Sequence, residues 1–339
     1  MNPIEPRNVE NFKILFGLYK KLMKKCNVVG KLGDGGEGVV LKVEIGGETC
    51  ALKMITNFHQ HEKATLEHNF QNEWKILERL RPSKYVIKAL RTFVSTPTQE
   101  MMRHFHPSIQ CFLSRQVGFK LHPVETQFFI LEFHPTDLEQ HMLTLRSSNQ
   151  LAWSRIFKYS LQLLKALEHL FEQEVVHNDT KMSNILVSKE DSIVLNDFGV
   201  AFIARHHRAD RKHLESGNRM CKAPEVHNKI ANEEADIDVT KQYSWEAGCL
   251  LYEIAFGRFP FINEDEEFYP FGFGETGRIT VPEVQFPDVT AADALLIGKY
   301  NGLIRLLLQN DENQRIHISD ACLQMDDIYQ NFIGNAGGL

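Results

Sequence analysis

Val175-Val176-His177-Asn178-Asp179-Thr180-Lys181-Met182-Ser183-Asn184 is followed by the apolar run Ile185-Leu186-Val187, a polar stretch over residues 188–192, a second apolar run Ile193-Val194-Leu195, and then Asn196-Asp197-Phe198-Gly199. Two short apolar runs around a turn predict an antiparallel hairpin, in which the start of one strand lies beside the end of the other. Asn184 and Asp197 then become neighbours, and Asp179 and Lys181 sit on the loop entering the same end. Oxygen donors converging there suit Mg2+, a hard cation usually shared between a carboxylate, an amide oxygen and nucleotide phosphates.

Upstream, Gly33-Asp34-Gly35-Gly36-Glu37-Gly38 contains G-x-G-x-x-G, a pattern shared by dinucleotide-binding folds and flexible turns. A dinucleotide fold needs a helix directly after the glycines. Here Val39, Val40, Leu41, Val43 and Ile45 read as a strand, Gly46-Gly47 as a hairpin turn, and residues 49–55 as a second strand. A glycine-rich hairpin can instead lie over a nucleotide's phosphates, because missing side chains let backbone N–H groups approach. The second strand carries Ala51-Leu52-Lys53.

Residues 64–80 place Leu66, Phe70, Leu77 and Leu80 at helical spacing, and Arg81-Pro82 ends the run. Glu73 falls on the same stripe, three residues after Phe70 and four before Leu77. A carboxylate turned inward is costly unless a cation meets it. Lys53 is the natural partner.

These segments, in this order, resemble the eukaryotic-type protein kinases, and the resemblance runs from about residue 29 to about residue 325. It implies an α+β, bilobal fold: a helical N-terminal extension over 1–28, a strand-rich N-lobe over 29–134 with an insertion at about 95–126, and a helical C-lobe over 135–339. By the same resemblance, Asp179 is similar to the catalytic Asp that accepts the substrate hydroxyl proton, and Lys181 to the lysine that neutralises the transferring phosphoryl group. Asn184 and Asp197 are similar to the two Mg2+ ligands, and Lys53 with Glu73 to the ion pair that holds a lysine against the ATP phosphates. Phe128-Phe129-Ile130-Leu131-Glu132-Phe133-His134 resembles the kinase hinge, which puts Leu131 beside adenine, backbone groups of Glu132 and His134 on the purine, and Asp137 within reach of the ribose. Gly33, Gly35, Gly38, Val40 and Ala51 complete the nucleotide-binding set. Ala223-Pro224-Glu225 matches the end of the activation segment, and Arg315 the arginine that pairs with that glutamate. The implied activity is transfer of the ATP γ-phosphoryl group to a protein hydroxyl, of serine or threonine because Lys181 follows Asp179 by two residues.

The remainder of the chain fits an ordinary globular enzyme. Of 339 residues 43% are hydrophobic and 24% charged, enough apolar material for a large core. A net charge of -6 argues against a surface built for nucleic acid. Six cysteines without a CxxC pair indicate neither a zinc site nor a disulfide framework, which fits an intracellular, cytoplasmic or nuclear compartment. Residues 11–26 read as an amphipathic helix packed on the domain, too short and interrupted for a membrane span. That helix and the insertion, with Met101, Met102, His104, His106, Cys111 and Phe112, offer places for a regulatory partner; two histidines and a cysteine alone do not make a metal site. Glu264-Asp265-Glu266-Glu267 reads as a solvated loop.

Two departures from the kinase pattern bear on activity. Asn178 precedes the catalytic Asp where many kinases have arginine, and Tyr243 stands where the buried helix over residues 245–256 usually supplies an aspartate, so that anchoring of the catalytic loop is expected to loosen unless Asp238 substitutes. They keep open a pseudokinase that binds nucleotide and signals through shape. The retained Lys53, Glu73, Asp179, Asn184 and Asp197 weigh against it. A kinase-fold enzyme acting on a small molecule is a third reading, against which the Ala223-Pro224-Glu225 motif and Arg315 stand. Residues 200–222 contain one hydroxyl side chain, Ser216, beside Arg205, His206, His207, Arg208, Arg211, Lys212 and His213, so activity is expected not to depend on phosphorylation of this segment.

Overall fold

The computed structural model describes residues 25–34, 38–56, 63–105, 126–261 and 294–336. The chain divides into two compact units: residues up to Glu78 together with Ile87–Phe133, and Arg79–Val86 together with residues from His134 onward.

The first unit is built on a five-stranded antiparallel sheet. Its strands are β1 (Asn27–Asp34), β2 (Gly38–Ile45), β3 (Glu48–Thr56), β4 (Ala89–Ser95) and β5 (Thr126–Glu132), in spatial order β1-β2-β3-β5-β4. Period-two alternation sorts the side chains to two faces. Val39, Leu41, Val43, Cys50, Leu52, Met54, Phe128 and Ile130 form a buried core on one face. The helix α2 (Gln99–Met102) and the residue Phe105 cap that core, with Met101 and Phe105 fully inside it. The part of the expected insertion that is described is therefore helical and packed. His106, Cys111 and Phe112 lie outside the described residues.

The helix α1 (Lys63–Leu80) packs on the opposite face, where Phe70 meets Phe129 edge-on at 4.7 Å between ring centroids. Of the expected stripe Phe70, Glu73, Leu77 and Leu80 are buried, and Ile76 is buried with them. The side chain of Leu66 lies outside the described residues.

The second unit is mostly helical. A two-residue strand β6 (Thr136–Asp137) leads into α3 (Leu138–Ser147), α4 (Trp153–Glu172) and β7 (Val175–Val176). The hairpin β8 (Ile185–Val187) and β9 (Ile193–Leu195) pairs Ile185 with Leu195 and Val187 with Ile193, the register expected from the sequence. Then come β10 (Phe202–Ile203), β11 (Arg208–Asp210), α5 (Arg211–Leu214), α6 (Pro224–Ala231), β12 (Asp236–Asp238), α7 (Gln242–Phe256), α8 (Ala294–Leu307) and α9 (Ile318–Ala336). The helix α4 buries Phe157, Leu163, Leu164, Leu167 and Leu170 and packs against α7 and α9. As its largely apolar sequence requires, α7 is buried on nearly every side, and it stops at Gly257, whose φ of 73° suits a residue without Cβ. Residues 1–24, with most of the expected N-terminal helix, and residues 264–267 lie outside the described set. Among the described residues no helix is long and apolar enough to cross a membrane.

Candidate active site

In the first unit Lys53 comes from β3 and Glu73 from α1. Lys53 Nζ donates to Glu73 Oε1 at 2.7 Å, with the glutamate side chain 4% exposed and the lysine 17%. Lys53 sits directly across from Val40 on β2 and Phe129 on β5, while Ala51 pairs with Leu131. By strand alternation Val40, Ala51, Lys53 and Leu131 therefore share the sheet face that α1 packs on. Gly38 is required by packing, since a Cβ there would lie 2.1 Å from the Met54 carbonyl oxygen. Gly33 belongs to β1 and has open space around it; Gly35 lies outside the described residues. Glu132 exchanges bonds with Lys88, its N–H donating to Lys88 O and its Oε1 accepting from Lys88 N.

In the second unit Asp179, Lys181 and Asn184 converge. Lys181 Nζ donates to Asp179 Oδ2 at 2.9 Å, and Asn184 Nδ2 donates to both Asp179 Oδ2 and Asp179 O at 2.8 Å. Asn196 N–H donates to Asn184 O at 2.8 Å, which sets Asp197, with its φ of 62°, beside the start of β8. The Asn184 amide nitrogen is committed to Asp179, so Oδ1 is the atom it can present to a cation. One amide oxygen and one carboxylate are too few to hold an ion alone, and among the described residues no cluster of three metal-binding side chains occurs. That donor set fits Mg2+ completed by phosphate oxygens and water.

His177 fixes the loop from beneath. Asp179 N–H donates to its Nδ1, so its Nε2 carries the hydrogen and donates to Asn196 O at 2.9 Å. Burial pulls its pKa below the ordinary histidine value, in keeping with that neutral form. Asp137 caps α3, accepting from Gln140 N at 2.9 Å, which occupies one of its carboxylate oxygens. His134 starts the longer of the two stretches of this unit. Arg315 grips Glu225 with two bonds, at 2.6 and 2.9 Å, and lies over the Trp245 ring.

Asp238 does not stand in for an aspartate at position 243. It accepts from Thr240 N at 2.8 Å and pairs with Arg208, because β12 runs antiparallel to β11 and places Arg208 opposite it. Tyr243 fills its site with an aromatic ring that meets Phe171 edge-on at 5.5 Å. The basic cluster over residues 205–213 is also partly spent within the chain. Arg208 bonds Asp236, Arg211 reaches Glu215 and Glu233, and His207 and His213 stack on Phe171 and Phe202.

Sequence reasoning missed Lys222, Gln242 and Glu246. Gln242 accepts from Ala223 N and donates to Cys221 O and Glu246 Oε1. Polar residues at the start of an otherwise apolar helix, and a lysine directly before Ala223-Pro224-Glu225, were the available signals.

The protein kinase domain profile matches residues 26–325, and the chain belongs to the protein kinase family. It is 33% identical over 168 residues to 3-phosphoinositide-dependent protein kinase B of Dictyostelium discoideum, 48% of this chain and 16% of that protein. It is 25% identical over 293 residues to the RAC family serine/threonine-protein kinase homolog of the same organism, 86% of this chain and 54% of the relative. Against the human RAC-beta serine/threonine-protein kinase it is 27% identical over 161 residues, 47% of this chain and 29% of that protein. The chain thus spans about half or less of these relatives' length.

Proposed function

We propose that this protein transfers the γ-phosphoryl group of ATP to a serine or threonine hydroxyl of a protein substrate. The observation that carries the reading is the grip on Asp179: Lys181 and Asn184 both bond Oδ2, which leaves Oδ1 to meet the substrate hydroxyl and accept its proton as the oxygen attacks. Lys181, bonded to Asp179 yet side-chain exposed, is placed to neutralise charge on the transferring group. Lys53, held by Glu73, would bind ATP phosphates, and Asn184 and Asp197 would hold Mg2+. Mg2+ bound with ATP offsets negative charge on the phosphates. Catalysis on this account is positioning and charge neutralisation without a covalent enzyme intermediate. The roles of Gly33, Gly35, Gly38, Val40, Ala51, Leu131, Glu132, His134 and Asp137 in nucleotide binding follow with it, the Glu132 carbonyl being the group it would turn to the purine. Names of the relatives support the serine/threonine class.

The test is incubation with γ-labelled ATP, Mg2+ and generic protein substrates, followed by phospho-amino-acid analysis. Label on serine or threonine supports the proposal; label on tyrosine alone, or on a small molecule alone, overturns it.

A further inference from the structure

Asn178, the residue directly before Asp179, is 4% exposed and adopts a φ of 67°. Residues 213–222 wrap around it. Its Nδ2 donates to His213 O at 2.8 Å and to Ser216 Oγ at 3.2 Å, and its main-chain carbonyl accepts from Asn218 N at 2.8 Å. Gly217 fits only as glycine: its φ is 77°, and a Cβ there would stand 1.9 Å from the Asn178 carbonyl oxygen. Asn218 Nδ2 then donates to Thr180 O at 2.7 Å, so both neighbours of Asp179 are bonded to the same stretch of chain.

One charge closes this arrangement. Lys222, 3% exposed, donates to Asn178 Oδ1 at 3.1 Å and to Ser216 O at 2.7 Å. A buried ammonium is costly unless oxygen acceptors and a counter-charge meet it. The acceptors are those two oxygens, which meet the ammonium directly, and the carboxyl of Glu246 on α7, buried and bonded by Gln242, lies in the same buried region and partly offsets the cost of burial. Remove the ammonium and Asn178 Oδ1 and the Ser216 carbonyl, both turned inward, lose the donor that joins them.

We propose that Lys222 is a positioning residue for Asp179: its ammonium ties the side chain of Asn178 to the Ser216 carbonyl and so fixes the backbone that carries the catalytic carboxylate. The proposal rests on the phosphotransferase reading for its kinetic consequence, whereas the latch itself is a matter of hydrogen bonding in the folded chain. Lys222 touches no nucleotide-binding residue named above, so its loss acts on turnover and not on ATP affinity.

The experiment compares wild type, Lys222→Met, Asn178→Ala and the double variant, with kcat and the KM for ATP beside amide hydrogen exchange of residues 213–222. Each single variant is expected to lower kcat by about tenfold or more with the KM for ATP within about twofold, and the double variant to be no worse than the worse single one, because the two side chains act as a unit. The Asn218 amide, protected in wild type, should exchange faster in Lys222→Met. Unchanged kcat in Lys222→Met, losses that multiply in the double variant, or unchanged exchange at Asn218 would overturn the proposal. If wild type transfers no phosphate the proposed activity fails, and the exchange measurement still decides the latch. Should Lys222→Met not fold, Asn178→Ala supplies the same kinetic and exchange readouts.

Discussion

Lys53 Nζ and Glu73 Oε1 stand 2.7 Å apart, and the two side chains are unequally covered, the lysine 17% exposed and the glutamate 4%. The inequality makes the two single substitutions differ. Lys53→Met takes the ammonium from a carboxylate in the dry half of the pair, at about 3 kcal/mol, the low end of the cost of breaking a buried pair because Lys53 keeps some contact with water. Glu73→Gln leaves a lysine that still reaches solvent, and should cost less. Combining them should restore most of the stability and none of the turnover, since the charge proposed to bind the ATP phosphates is gone in both Lys53 variants. Urea unfolding beside single-turnover kinetics checks this; a double variant as unstable as Lys53→Met would contradict it.

Tyr243 is 1% exposed and its hydroxyl has no hydrogen-bond partner among the described residues. A buried hydroxyl without a partner costs about 1–3 kcal/mol relative to one in water. Tyr243→Phe keeps the edge contact with Phe171 and removes that cost. The variant should melt at or above the wild-type temperature by differential scanning calorimetry, with kcat preserved. A clear fall in melting temperature would show that the hydroxyl is bonded.

A pH effect follows from His227, whose Nε2 lies 3.0 Å from Arg219 O and which burial pulls from 6.5 down to about 4. The native imidazole stays neutral where the unfolded one is already protonated. The unfolded chain therefore binds the extra proton, and stability is lost as pH falls from about 6.5 to about 4. The shift corresponds to at most about 3 kcal/mol over that window. Glu246 acts in the opposite sense: burial raises it from 4.5 to about 7, so the native chain keeps a proton the unfolded chain releases, and stability falls as pH rises through that range. Denaturant midpoints of wild type and His227→Gln across these pH values should show a shallower acid limb in the variant. Parallel limbs would rule out His227 as a source of acid lability.

How much of this was legible in the sequence depended on the distance over which each interaction acts. The β8 and β9 hairpin and the inward Glu73 follow from local periodicity, where period two or 3.6 fixes a side chain's face. The Arg315 to Glu225 pair spans 90 residues, and was accessible only because both residues belong to motifs of the kinase pattern. Lys222 to Asn178, 44 residues apart, belongs to no such motif, and a lysine before Ala223 gives no local sign of being buried. Asp238 misled for the same reason: its partner is set by the register of β11 against β12, which two three-residue strands do not advertise.

Ser216 bonds through both its hydroxyl and its carbonyl, and the carbonyl is the part Lys222 holds. Ser216→Ala retains it. The rate of Ser216→Ala and of phosphatase-treated wild type should stay within a few-fold of untreated enzyme in the same kinetic assay. A large loss in both, restored by rephosphorylating the treated wild type at Ser216, would contradict a segment ordered by its own bonds.

The most direct measurement is the transfer rate of Asp179→Asn against wild type with labelled ATP and Mg2+, read beside the thermal shift each protein shows with the nucleotide. Wild type should label protein serine or threonine, and the variant should lose about 10²-fold to 10⁴-fold in rate, the usual contribution of a positioned base, while keeping its nucleotide-dependent stabilisation. Transfer at the wild-type rate by Asp179→Asn, or a wild type that is stabilised by Mg-ATP and transfers nothing, would contradict the account.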